Sequence, residues 1–252
     1  MMTDNAPSTA CSGYAEGYYG GFQIDSSGTD TSGQTFGGAV RANCNFNQRW
    51  NGQGDFFVDS LRATSGGNST ISNFGAAGHI YWRNPSSHAL GGFGAIEGYD
   101  NASSFDGTKR YHLGVEGQVY LDRVTLYGQA YTGRHTINSS TAAIRGVRGM
   151  ARYFATDNLR FEGEIGYREL ATSSGSADTV VLGAEATYRF DDSPVSVFGR
   201  YQYDHITSSD TGRADIHKYV AGVKLSLGSK TLFEEDRHGA TMDTARPNYF
   251  IY

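Results

Sequence analysis

Charged side chains recur at even spacings, in one period-2 phase per segment, through the second half of this chain, and that spacing suits one chemistry above others, a wall of fixed charge. Arg148 and Arg152, Arg160 and Arg168, Arg189, Arg200, and Lys218 and Lys224 alternate with apolar residues, and Glu162, Glu164, Glu185 and Asp204 share their phase. In an extended chain, residues two apart point to the same side. Bases and acids therefore line one surface, with the bases in excess. Such a surface either sorts small ions or knits itself into ion pairs.

Other chemistries find less support. Cys11 and Cys44 are the two cysteines, without the CxxC, CxxCH or His/Cys spacing of a haem or zinc site. Seven histidines and many serines would allow a Ser-His hydrolase, but the GxSxG elbow is missing. By phase, His79 and His112 share the charged surface. Gly91-Gly92-Phe93-Gly94 sits inside an alternating segment rather than ahead of a helix, so it is not a phosphate loop. No catalytic residue, metal or cofactor is expected. The net charge of -5, without a basic cluster, excludes nucleic acid as a partner.

The elements that carry the charges are strands. Period-2 alternation runs almost from end to end, as in Val180, Leu182, Ala184, Ala186, Tyr188 and Phe190 against Glu185, Thr187 and Arg189. The chain holds 34 Gly, 17 Tyr and 14 Phe but lacks the roughly 18 consecutive apolar residues of a membrane helix. Strands that cross a bilayer need apolar residues on one face only. Polar connections such as Ser26 to Gly33, Asp100 to Thr108 and Thr136 to Thr141 alternate with tight links at Asn84 to Ser87, Asp122, Thr156-Asp157 and Asp191 to Ser193. Aromatics gather toward strand ends: Tyr111, Tyr167, Tyr201, Tyr203 and Tyr219 at one end, Phe46, Trp82, Tyr153, Tyr188 and Phe190 at the other.

These features point to an all-β fold, a closed antiparallel transmembrane barrel of about twelve strands in an up-and-down meander. The expected organisation is an N-terminal periplasmic segment 1–13, a barrel 14–228 and a C-terminal tail 229–252, periplasmic or lumenal. In this architecture the chain resembles the small porin-like outer-membrane barrels of proteobacteria. The resemblance implies a place in the bacterial outer membrane with periplasmic termini, lipid and small polar solutes as partners, and a passive channel as function. The expected pore lining is Arg148, Arg152, Glu162, Glu164, Glu185, Arg200, Lys218 and Lys224. Arg148, Glu164, Glu185, Arg200 and Lys224 are expected nearest mid-height as the constriction, and their basic surplus favours anions. Two alternatives are a barrel filled by salt bridges, serving structure or interaction, and a lipid hydrolase, whose site would face lipid. The tail, with Glu234 to His238, Pro247 and a terminal Tyr252, breaks the strand pattern.

Hairpin geometry carries Cys11 and Cys44 to the same rim, in an oxidising compartment, so they are expected to be disulfide-bonded. Thiol titration of unreduced, denatured protein should find no free thiol; two would contradict the pairing.

Overall fold

The computed structural model describes residues 11–26, 29–47, 49–65, 70–101, 108–137, 140–172, 175–209 and 212–244. The expected N-terminal segment up to Ala10, and the chain past Thr244 with its terminal aromatics, lie outside the described residues. The strands are β1 (Cys11–Ser26), β2 (Thr29–Asn45), β3 (Trp50–Ala63), β4 (Thr70–Asn84), β5 (His88–Asn101), β6 (Thr108–Leu121), β7 (Val124–Ile137), β8 (Ser140–Thr156), β9 (Leu159–Ala171), β10 (Ser176–Arg189), β11 (Val195–Ser208) and β12 (Gly212–Leu227), followed by helix α1 (Leu232–His238). Each strand pairs antiparallel with the next. β12 returns to β1 in register from Gly13↔Leu227 to Ser26↔Ala214, so the sheet closes into a twelve-stranded barrel.

Alternation is inside out relative to a water-soluble sheet. In β10, Val180, Leu182, Ala184, Ala186 and Tyr188 are exposed whereas Glu185, Thr187 and Arg189 are buried. Leu113 is 70% exposed and Ile165 61%, while Arg189 is 0%. A continuous apolar outer band is a surface that hydrocarbon solvates and water does not. Exposed Tyr111, Tyr167, Tyr201 and Tyr219 lie toward the loop end of the band, and exposed Phe46, Tyr153, Tyr188 and Phe190 toward the tight-turn end.

Two boundaries differ from the sequence reading. β1 begins at Cys11 rather than Tyr14, because Cys11 pairs with Cys44 in the β1–β2 register and is disulfide-bonded to it. Several polar runs read as loops are largely strand: Asp25 pairs with Asp30, Thr136 with Thr141 and Ser208 with Gly212. Strands of 13 to 17 residues exceed the roughly 9–11 that a bilayer requires. Their polar ends continue the ladder beyond the hydrocarbon. At the opposite end the links are tight, and Asp122 and Asp192 adopt φ of 37° and 55°, which Asp tolerates better than most side chains.

The outer band sets one expectation. Ile165→Arg, at the centre of β9, should cost about 2–4 kcal/mol of stability in lipid vesicles. A cost below about 0.5 kcal/mol in equilibrium unfolding would contradict burial of this face in hydrocarbon.

Candidate functional site

The chain does not end at the rim. Gly228, at φ 82°, turns it off the wall; a Cβ there would lie 2.8 Å from that of Ser12. Thr231 caps α1, its hydroxyl accepting from the Glu234 N–H at 3.0 Å, and the Glu234 carboxylate accepts from the Lys230 N–H at 2.6 Å. A helix this short depends on such caps and on what it packs against. The Phe233 N–H donates to the Asp157 carbonyl at 3.0 Å and Arg237 donates to the Asp122 carbonyl at 2.7 Å, seating α1 on two tight turns. The Phe233 ring stands edge-on to Phe154 at 5.2 Å.

Two acids of α1 meet the buried bases of the wall. Glu235 accepts from Arg189 and from Lys224, the latter at 2.7 Å. Burial alone would raise its carboxyl, but these two cations hold it down at about 2. Asp236 accepts from Arg152 at 3.1 Å and from the Thr125 hydroxyl at 2.5 Å.

Beyond α1 the segment Gly239–Thr244 runs along the inner wall with its backbone bonded to side chains. The Gly239 carbonyl accepts from Arg83 at 2.9 Å, and that of Thr241 from Gln118 at 3.0 Å and Arg152 at 3.1 Å. Gln53 takes both sides of Met242, donating to its carbonyl at 2.7 Å and accepting from its N–H at 3.2 Å. The Asp243 carbonyl accepts from Tyr127 at 2.9 Å, and its carboxylate lies between Arg41 and Arg148. The Met242 side chain is fully buried among Tyr81, Ala89, Tyr120, Tyr127 and Met150. Gly239–Thr244 thus lies inside the barrel, while α1 sits at its tight-turn end with Glu234 and His238 exposed.

The eight charged residues singled out by phase all face inward, but paired. Arg148 grips Glu164 at 2.5 Å, Arg152 grips Glu162 at 2.9 Å, and Arg200 bridges Glu185 at 2.6 Å and Glu16 at 3.2 Å. Lys218 pairs with Asp59, and Lys224 with Glu235. This corrects the expected surplus of unpaired base. The surplus came from counting β8 to β12 alone, whereas acids arrive from β1, β3 and the tail. It also corrects the constriction: Lys224 lies near the end of β12 and belongs to the seat of α1. Between tail and wall a polar cavity of about 80 Å³ remains, lined by Tyr14, Glu16, Tyr18, Arg160 and Arg200 among others. That is room for ordered water beside the charged groups.

Sequence reasoning missed Arg41, Gln53, Asp55, Arg83 and the tail residues Glu235, Asp236, Met242 and Asp243. Extending the inward phase to β2, β3 and β4 would have found the first four; the tail carries no periodic signal. His79 and His112 are inward and buried, and His79 is tied to Glu116 at 2.7 Å within the ion-pair network. Toward the loop end, Phe22, Leu61, Ile206 and Ile216 form apolar clusters on the inner face.

No family model and no curated protein matches the chain. Among solved structures it is similar in fold to an outer-membrane channel from Pseudomonas putida F1, at 12% identity over 88% of this chain and 97% of that one, with a TM-score of 0.60. It is also similar to the β domain of the Bordetella autotransporter BrkA, at 16% identity over 86% and 100%, with a TM-score of 0.55. A KdgM porin aligns at 13% identity over 84% and 99%, with a TM-score of 0.50.

The seat of α1 gives the next expectation. Glu235→Leu leaves Arg189 and Lys224 buried without this acid, a loss of about 3–5 kcal/mol, so the tail should become protease-sensitive while the barrel stays folded. In the unaltered protein, the depressed Glu235 carboxyl contributes fully above about 4.5 and is lost as pH falls through about 2. A tail equally protected in the variant and the parent would refute this role.

Proposed function

We propose that this protein is a bacterial outer-membrane channel for passive diffusion of small polar solutes, closed by its own C-terminal segment in the state described. Its tight-turn end and both termini face the periplasm. The observation that carries the reading is the kind of contact holding Gly239–Thr244: inside the barrel it docks on hydrophilic side chains, with the Met242 socket as the principal apolar exception. Once the segment leaves, this wall can be hydrated, which an apolar core could not be. Departure also removes Glu235, Asp236 and Asp243 from Lys224, Arg189, Arg152, Arg41 and Arg148. The vacated lumen then gains a basic excess and prefers anions. The fold it shares with a solved outer-membrane channel and a porin supports the same reading.

A second reading is a permanently filled barrel serving structure or interaction. It is favoured by pairs within the wall itself, such as Arg110 with Glu97 at 3.0 Å and Arg148 with Glu164.

Planar-bilayer recording separates the two. The full chain should pass little current, and Met242→Lys with Asp243→Lys, which unseats the tail, should raise conductance at least tenfold, with a reversal potential favouring anions under a salt gradient. Adding Arg200→Gln and Lys224→Gln should move that potential toward zero. An unseated variant that conducts no better than the parent removes the channel reading.

A further inference from the structure

The contacts beneath the tail have the form of a binding site for extended peptide. The carbonyls of Gly239, Thr241, Met242, Asp243 and Thr244 each accept from a wall side chain, drawn from Arg83, Gln118, Arg152, Gln53, Tyr127 and Arg148. Gln53 also takes the Met242 N–H, reproducing with one amide side chain the two-bond pairing of a neighbouring strand. Bonds to the main chain are indifferent to sequence, and pockets for side chains supply the selection. Two such pockets are built here: the aromatic and Met socket that encloses Met242, and the cleft where Arg41, also paired with Asp55, and Arg148, also paired with Glu164, hold the Asp243 carboxylate. The wall supplies these groups from β2, β3, β4, β6, β7 and β8, so the site belongs to the barrel and the tail is its occupant.

We propose that this inner wall is a peptide-binding site and that the tail sits in it as a built-in mimic. The solutes that the open barrel takes best are then short extended peptides with a bulky apolar residue followed by an acidic one. This rests on the channel reading for transport, though not for binding. Met242 supplies the apolar anchor at little shape cost because its unbranched thioether adapts to an irregular socket. The guanidiniums on either side of Asp243 discriminate by charge, since a basic residue there would be buried beside two cations whose wall carboxylates, Asp55 and Glu164, are already engaged.

The test uses the full chain carrying Met242→Lys and Asp243→Lys, and a fluorescein-labelled peptide Gly-Ala-Thr-Met-Asp-Thr with blocked ends. Should that segment stay seated, Glu235→Lys with Asp236→Lys releases it from its helical end. Fluorescence anisotropy in detergent should show saturable binding to the released chain and none to the parent. A peptide with Lys in place of Met and Asp should bind at least tenfold more weakly. Gln53→Leu in the released chain should weaken binding roughly 5- to 30-fold, as for the loss of one or two buried hydrogen bonds. In a planar bilayer the peptide should block the released current, and a neutral trisaccharide of similar size should not. Binding without any conductance would uphold the site and remove the channel. Conductance with no peptide binding, or equal binding of the Met-Asp and Lys-Lys peptides, would overturn the site and leave the channel standing.

Discussion

A sheet immersed in hydrocarbon can leave no edge, and the pairing of β12 with β1 is the contact on which everything else depends. Backbone groups left open there would have no water to bond. Closure in turn fixes the two faces. The outward phase must be apolar, and the inward phase is shut away from lipid and, in this state, largely from water. A charge on that inner face must therefore find a partner or bear the full cost of its desolvation.

The lumen meets that demand with two sets of acids. One is in the wall, where Glu164, Glu162 and Glu185 face Arg148, Arg152 and Arg200 across neighbouring strands. The other is carried in by the tail, whose Glu235 reaches Arg189 and Lys224 and whose Asp243 reaches Arg41 and Arg148. On the proposed channel reading the difference between these sets is functional. Wall pairs stay with the barrel, whereas tail pairs can leave together as one segment. In that reading, closing the lumen with polar contacts lets the open state be hydrated, because each group released finds water.

Parity made the strands legible, since lipid on one side and side-chain partners on the other leave a period of two. Glu185 and Arg200 were placed on the inner wall by their spacing alone. What could not be read was pairing at long range. Arg152 meets Asp236 and Arg148 meets Asp243 across stretches of chain with no periodicity linking them. The run Glu234 to His238 registered only as a break in the strand pattern. A short capped helix gives almost no periodic signal, and its stability comes from the turns it sits on. The excess of base in β8 to β12 was itself the trace of acids that β1, β3 and the tail supply.

Every one of the tail pairings requires that segment to be part of the folded barrel. Amide exchange at Met242, whose N–H is bonded to Gln53 inside the lumen, reports this directly in the unaltered protein. Protection within about tenfold of the central β6 and β7 amides, with loss in Gln53→Leu, is the expected result. Exchange at the rate of an unstructured peptide would show an unoccupied lumen and contradict the account.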